Sequence, residues 1–149
     1  MKLPKKFGEY LNLGIIKKCS ADRSRAEFLI DESQNSLEGL SERIEKVGIN
    51  EKNANSTIKD CYDILMELIR AKLLIEGYSS SGQFAHEAEV SYLQEMGFLD
   101  NDVSFLNEIR YFRNSVTYYG KILNKEYALK VVEFMNYLYP KLKKIFERT

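Results

Sequence analysis

Three side chains that can bind an anion lie within residues 113–118. Arg113 follows Leu106 by seven residues on the same apolar stripe, where a guanidinium must be paired or must reach a wet cleft. Asn114 and Tyr118 are four residues apart, so a helix places them on one neighbouring face. A forked cation, an amide and a phenol at one helix end suit an anionic, phosphate-bearing ligand.

A structural role for Arg113 is the alternative at this stage. Glu108 lies five residues earlier and is a candidate partner that would hold the guanidinium in place. An ion pair between these two residues, or one that joins two subunits, would close a core without binding any ligand. The residue pattern leaves both interpretations open.

The composition excludes several kinds of metal and redox site. The chain has one histidine, His86, and two cysteines, Cys19 and Cys61. A two-histidine zinc or iron site is therefore excluded, and two cysteines in no pairing pattern form neither a structural zinc site nor a disulfide scaffold. The sequence predicts no metal and no cofactor.

His86 is the one imidazole available for proton transfer. It lies near the start of a predicted third helix, after the hydroxyl-rich segment 79–81, and from there it can in principle reach a cleft. The alternative for His86 is a capping or surface residue. The hydroxyl-rich segment 79–81 is a candidate for contact with a phosphate, and its alternative is an ordinary interhelical loop.

Charge is balanced overall but uneven along the chain. The 149 residues carry 22 Lys and Arg against 22 Asp and Glu. Residues 1–18 and 141–149 are basic, whereas residues 82–110 are acidic. Broad attraction to nucleic acid is therefore not expected, although a small phosphate site needs no net charge. The uneven runs also fit ordinary solvated helix faces.

No segment has the length or composition of a membrane span. The longest uncharged apolar runs, such as residues 73–75, fall far short of the roughly 20 residues that cross a bilayer. The basic N-terminus is not followed by an apolar signal core. We therefore expect a cytoplasmic protein that makes no membrane contact.

Apolar residues recur at helical spacing along nearly the whole chain, which predicts an all-α protein. The apolar stripes cover residues 26–47, 58–73, 85–96, 103–116 and 128–145. Short connections between them favour an up-and-down antiparallel bundle of four to five main helices. Nothing alternates at a period of two for long enough to predict a strand.

Glycine and asparagine residues mark the expected helix ends. Gly48 follows the first stripe and is an expected C-cap, and the second stripe runs to Gly77. Asn55 or Ser56 is expected to cap the second helix, and Asn124 the fifth.

One domain is expected for residues 1–149, with a core over about 20–147. Residues 1–19 are then a basic extension or a short helix. Within the fifth helix, Pro140 is expected to cause a kink or a break near Tyr139, because it removes a backbone donor and crowds the preceding turn.

The segment 108–120 resembles the signature helix of HEPN domains. It contains an Arg-Asn pair like the one that opens the HEPN motif, at the end of the penultimate helix. The upstream order is also similar, because two long helices are followed by residues 74–78 and a serine-rich segment before His86. The resemblance covers about residues 20–147.

The resemblance implies a homodimer formed through helix 102–119, which brings two arginine motifs into one cleft. Many HEPN proteins are metal-independent endoribonucleases, including toxins paired with minimal nucleotidyltransferase antitoxins and effectors of antiviral defence. By this resemblance Arg113 contacts the scissile phosphate of an RNA, and Asn114 orients the phosphate or the arginine. The remaining candidates for phosphate binding or support are Glu108, Arg110, Tyr119 and His86.

The motif departs from that of RNA-cleaving HEPN proteins at one position. Those proteins carry a histidine four to six residues after the arginine, and here Tyr118 lies where the histidine most often falls. Cleavage without a metal needs a base for the 2′-hydroxyl and an acid for the leaving oxygen, and an imidazole with a pKa near 6.5 serves as either. A tyrosine with a pKa of about 10 is a poor base at pH 7.

Three functions are compatible with these residues. The first is a homodimeric HEPN protein that binds or cleaves RNA in a toxin–antitoxin or defence setting. The second is a non-catalytic HEPN module that binds a nucleotidyltransferase-type partner protein or a nucleotide. The third is a helical adaptor in which Arg113 forms only an interface ion pair.

Overall fold

The computed structural model of the chain describes residues 3–119 and 123–147, with the backbone alone for residues 114–119. The helices in this part of the chain are α1 (Phe7–Asn12), α2 (Arg23–Val47), α3 (Ala54–Glu76), α4 (Ala85–Glu95), α5 (Asp100–Tyr119) and α6 (Lys125–Glu147). Two short strands, β1 (Ile16–Lys18) and β2 (Tyr78–Ser80), complete the fold. The predicted all-α helical bundle is therefore confirmed. Within these residues, no helix is long and apolar enough to cross a membrane.

The helix α3 is the centre of the bundle and packs against α2, α4, α5 and α6. Its neighbour α2 runs antiparallel to it, because Ser33 donates to the carbonyl of Ile64 at 2.7 Å while the later Arg43 reaches back to Asp60 at 2.8 Å. Most of the surface of α3 is buried, including the side chains of Ile58, Cys61, Tyr62, Ile64, Leu65, Met66, Leu68 and Ile69. The burial of these apolar side chains is the main stabilising term of the fold.

Most helix ends lie where the sequence predicts them. Gly48 and Gly77 are the C-caps of α2 and α3, and both have a positive φ. Asn124 caps α6 by accepting a hydrogen bond from the backbone N–H of Tyr127 at 2.9 Å. The cap predicted for α3 is wrong: the helix begins at Ala54, and Asn55 instead accepts from the backbone N–H of Leu123 at 3.1 Å.

Pro140 does not break α6, so that part of the prediction is wrong. The helix continues from Lys125 to Glu147 with Pro140 inside it. Pro140 is exposed, whereas the neighbouring Leu138 and Tyr139 and the following Leu142 are buried in the core. Burial of this apolar face offsets the roughly 3 kcal/mol that a proline costs inside a helix.

The segment predicted as a serine-rich loop is in part a strand. β2 pairs antiparallel with β1, with Ile16 opposite Ser80 and Lys18 opposite Tyr78. Three residues on each side are too few to give a visible alternation in the sequence, which explains why the strands were not predicted.

The N-terminal residues belong to the core. The short-helix alternative for this region is confirmed as α1, and Phe7, Tyr10 and Ile16 are all buried. The ring of Phe7 packs against those of Tyr78 and Tyr92 at centroid distances of 5.1 and 4.7 Å. The core therefore begins well before residue 20.

The Gly77→Ala substitution should destabilise the fold more than an ordinary glycine replacement does. Gly77 has φ +81°, and a Cβ there would lie 2.7 Å from the backbone oxygen of Cys19, which also lies beside β1. We expect a loss of about 2 kcal/mol or more in the free energy of unfolding, measured by urea denaturation. Gly14→Ala is the control, because Gly14 has φ +74° with open space around its Cα, and about 1 kcal/mol is expected there. Equal losses in the two variants would contradict the steric argument.

Candidate functional site

Arg113 lies on α5 and faces α3. Its Nη2 is 3.3 Å from Oδ1 of Asp63, and its guanidinium carbon lies 5.5 Å from the centre of the Tyr62 ring. Glu108 is not its partner, because that carboxylate accepts a hydrogen bond from the Tyr127 hydroxyl at 2.9 Å. Five residues turn a helix by about 140° beyond one full turn, so Glu108 faces α6 while Arg113 faces α3.

The contact between Arg113 and Tyr62 leaves one buried polar atom of each residue without a hydrogen-bond partner among the described residues. The Nε of Arg113 and the hydroxyl of Tyr62 are both buried and unpaired among the described residues. Tyr62 is only 1% exposed, and burial raises the pKa of its phenol, against the opposite effect of nearby arginines. An unpaired buried donor of this kind is uncommon in proteins and is a position where a ligand atom or a water molecule can bind.

Arg70, on α3 itself, is another of the arginines whose charge acts on the Tyr62 phenol. Its Nε lies 3.1 Å from Oε1 of Glu89 on α4, and the other carboxylate oxygen of Glu89 accepts from the Ser80 hydroxyl at 2.8 Å. The Glu89 side chain is 8% exposed, so both of its oxygens need these partners. This ion pair joins α3, α4 and β2.

Arg110 is the third arginine whose charge acts on Tyr62. Its Nε donates to the side-chain oxygen of Asn107 at 2.9 Å, and its Nη2 lies 3.9 Å from Oε1 of Glu87 on α4. The side chain is 19% exposed, and its partners come from α4 and from α5 itself.

His86 is the second residue of α4, and the charges of these three arginines act on its imidazole. The residue is exposed, yet the protein around its ring displaces enough water to lower the pKa of the imidazole below 6.5. The positive charges of Arg70, Arg113 and Arg110 lower this pKa further, and the carboxylate of Glu89 opposes them. We call Arg70, Arg110, Arg113 and His86 the arginine cluster.

An open cavity of about 650 Å³ lies beside the cluster, between α2 and α3. Its lining includes Glu32, Asp63 and Glu67, together with Arg70. Burial raises the pKa of Glu67, and the carboxylates of Glu32 and Asp63 raise it further, against the opposite effect of Arg70. The acidic lining repels phosphates, so an RNA strand would have to approach the cluster from another side.

Of the residues proposed from the sequence, Arg110, Arg113 and His86 lie in this cluster, and Glu108 lies outside it. Asn114, Tyr118 and Tyr119 belong to the last turns of α5, and their side chains lie outside the described residues. Among the side chains that the structure does describe, no group of three or more His, Cys, Asp or Glu residues is placed to hold a metal ion.

Sequence reasoning missed the residues that α3 contributes. Asp60, Asp63, Glu67 and Arg70 are spaced at i, i+3, i+7 and i+10, which places them on one face of α3. This charged stripe on an otherwise apolar helix is the signal that points to partners on neighbouring helices. The role of Glu89 has no comparable signal, because it follows from how α4 packs on α3.

The Glu89→Ala substitution should be strongly destabilising, because it leaves the Arg70 guanidinium without its buried partner. We expect a loss of about 3 kcal/mol in the free energy of unfolding by urea denaturation. Asp60→Ala is the matched control, since it breaks the Arg43–Asp60 pair, in which both side chains are 42% exposed. A loss of about 0.5 kcal/mol is expected for the control. Similar losses in both variants would show that burial of Glu89 does not matter.

The pKa of His86 should be measurable without ambiguity, because the chain has a single histidine. We expect an NMR titration of its ring protons to give a midpoint below 6.5, and Arg113→Ala to raise that midpoint while Arg43→Ala leaves it unchanged. The folded protein takes up this proton at lower pH than the unfolded chain does. The free energy of unfolding should therefore fall as the pH drops from 6.5 towards that midpoint. A midpoint at or above 6.5 would contradict the assignment.

Comparisons with protein-family models, with curated proteins and with solved structures gave no match to this chain. The resemblance to HEPN domains stays a prediction from the residues of segment 108–120 and from the helix order.

Proposed function

We propose that this chain is a HEPN-type helical bundle that binds RNA and contacts a backbone phosphate through Arg113. The resemblance of segment 108–120 supplies the family in this proposal, and the arginine cluster supplies the chemistry. The protein acts as a homodimer, as the RNA-directed component of a toxin–antitoxin or defence system with a nucleotidyltransferase-family partner.

The observation that carries the proposal is the placing of the Arg113 guanidinium between α5 and α3, 5.5 Å from the centre of the Tyr62 ring and 3.3 Å from the carboxylate of Asp63. Arg113 is well placed to bind a ligand, because its side chain is 32% exposed while its Nε has no acceptor among the described residues. A partly exposed guanidinium such as that of Arg113 can offer two parallel N–H donors to a phosphate, which is a strong arrangement for recognising that group.

Asp63 is a counter-ion that a phosphate can replace. The two side chains of the Arg113–Asp63 pair are 32% and 47% exposed, and their closest atoms are 3.3 Å apart. Ion pairs with this exposure contribute only about 0.2–1 kcal/mol to the stability of the fold. An incoming phosphate therefore competes with a weak partner, and the displaced Asp63 carboxylate can be solvated by water.

The outer face of α5 supports the proposed dimer. Tyr111 is 58% exposed there, beside a cavity of about 300 Å³ whose lining also includes Glu108, Arg110 and Phe112. An exposed aromatic side chain flanked by charges of both signs is typical of protein interfaces. Pairing of two α5 helices on this face would bring two arginine clusters close to one another.

A second candidate is a non-catalytic module that binds a partner protein. It is favoured by the charge balance of the cluster, since Arg70, Arg110 and Arg113 each face a carboxylate. The acidic cavity between α2 and α3 would accept a basic segment of such a partner. Co-purification with a nucleotidyltransferase, together with no measurable affinity for RNA, would favour this candidate.

Fluorescence anisotropy with a labelled single-stranded RNA, in EDTA, tests the proposal. We expect Arg113→Ala to weaken binding about tenfold or more and to reduce the salt dependence by about one phosphate contact. Asp63→Asn should tighten binding, because it removes the competing carboxylate.

Arg43→Ala is the matched control for this measurement. It also removes an arginine that pairs with an aspartate of α3, at 2.8 Å, but Arg43 lies outside the arginine cluster. Its RNA affinity should stay within about twofold of the unmodified protein, since it removes no cluster contact. Equal losses of RNA affinity in Arg43→Ala and Arg113→Ala, with circular dichroism unchanged, would show that removal of any positive charge weakens RNA binding. That result would refute a specific site at Arg113.

A further inference from the structure

An exposed phenylalanine lies on an acidic stretch of α2. The side chain of Phe28 is apolar, yet the residue is 63% exposed. Asp31 and Glu32 follow it by three and four residues, so the helix places their exposed side chains beside the phenyl ring, one turn along. No lysine or arginine lies between Arg25 and Arg43, so this stretch of α2 is negatively charged. We call Phe28, Asp31 and Glu32 the Phe28 patch.

A cavity of about 370 Å³ with the opposite charge lies between the last turns of α6 and the connection from α4 to α5. Its apolar lining includes Phe98, Leu99 and Ile145, of which Leu99 is 67% exposed. Lys141 and Lys144, one turn apart on α6, are exposed at its edge. Ligand sites occupy roughly 300–1,000 Å³, so this cavity has room for one phenyl ring. We call it the lysine pocket.

Tyr137 joins the two sides of the lysine pocket. Its hydroxyl donates to Oδ2 of Asp102 on α5 at 3.1 Å, and Nζ of Lys141 lies 5.1 Å from the centre of its ring. Asp102 is buried, whereas both lysines are exposed, so the lysines set the charge at the opening. Between Glu133 and Glu147, α6 carries no carboxylate side chain that would offset them.

The Phe28 patch and the lysine pocket match each other in both polarity and charge. An exposed apolar residue by itself is ordinary on a protein surface. Here an aromatic side chain flanked by two carboxylates is matched by an apolar cavity flanked by two lysines. Aromatic side chains that fill a pocket within a rim of complementary charges are typical anchors of protein interfaces.

We propose that the lysine pocket binds the Phe28 patch of a second copy of this chain. The phenyl ring enters the pocket beside Leu99 and Ile145, and the two carboxylates of the patch face the two lysines at its edge. The contact uses no residue of the arginine cluster, so it goes beyond the proposed function and does not depend on RNA binding.

This contact is head-to-tail, because the patch and the pocket are different surfaces of the chain. A copy that has docked its patch still offers its own pocket, so repetition adds further copies and builds a chain or a ring. Pairing through α5, in contrast, joins the same surface of two copies. One aromatic anchor and a short rim form a small interface, so association should be weak and should depend on protein concentration. Salt should weaken it further, since the ion pairs lie at an exposed edge.

Sedimentation velocity, from micromolar to millimolar protein, tests the proposal. The average mass of the unmodified protein should rise with concentration and fall with added salt. Phe28→Ala and Lys144→Glu should each weaken this association about tenfold or more, because they remove the anchor or reverse a charge at the edge. Both residues are exposed, so the fold should be retained, which circular dichroism checks.

Each of these variants has a matched control on the same helix. Val47→Ala also shortens an exposed apolar residue of α2, and Lys130→Glu also reverses an exposed lysine of α6. Both lie outside the patch and the pocket, so the association of both controls should stay within about twofold of that of the unmodified protein.

A mixture of the two weakened variants tests the head-to-tail geometry. Phe28→Ala keeps an intact pocket and Lys144→Glu keeps an intact patch, so each supplies what the other lacks. Neither variant should associate by itself at concentrations where the unmodified protein does, whereas an equimolar mixture should regain association. A contact between identical surfaces would give no such recovery.

Three outcomes would overturn the inference. The first is an unmodified protein whose mass is the same at every concentration, which would leave the pocket to an acidic segment of another protein. The second is association of Phe28→Ala or Lys144→Glu as strong as that of the unmodified protein. The third is a mixture that associates no better than its components. RNA affinity should be unchanged in Phe28→Ala, so failure of this inference and failure of the proposed function are separate results.

Discussion

Ion pairs between the central helix α3 and its neighbours tie much of the bundle together. The neighbouring helices bury the apolar side chains of α3, whereas Asp60 and Asp63 stay 42% and 47% exposed. Three ion pairs result, each to a different helix, and they are Asp60 with Arg43 of α2, Asp63 with Arg113 of α5, and Arg70 with Glu89 of α4. The pair with the buried Glu89 depends most on correct packing, and the other two can open at lower cost.

The helices were predictable because the apolar residues that form the buried face of a helix recur about every 3.6 residues in the sequence. The caps at Gly48, Gly77 and Asn124 were predictable for a similar reason, since each depends on one side chain or one backbone angle. Strand pairing between residues 16–18 and 78–80 was not, because it depends on segments far apart in the chain. The continuity of α6 through Pro140 depends on the tertiary burial that follows it.

The candidate site was predictable only in part. Arg113 was conspicuous as a cation on an apolar stripe, and His86 as the single imidazole, but their common neighbourhood follows from the packing of α4 and α5 on α3. Glu108 seemed a natural partner by proximity in sequence, yet helix geometry turns it towards Tyr127. Asp63 is the partner of Arg113 instead, because a residue fifty positions away in sequence can be the nearest in space.

The pairing of β1 with β2 also constrains the order in which the chain can fold. Ile16 and Ser80 are joined only after α2 and α3, which lie between them in sequence, have folded back on each other. The closing of so long a loop is entropically costly unless the helical hairpin has already brought its ends together. During synthesis, α1 and its aromatic residues therefore keep their apolar surfaces exposed until β2 has emerged.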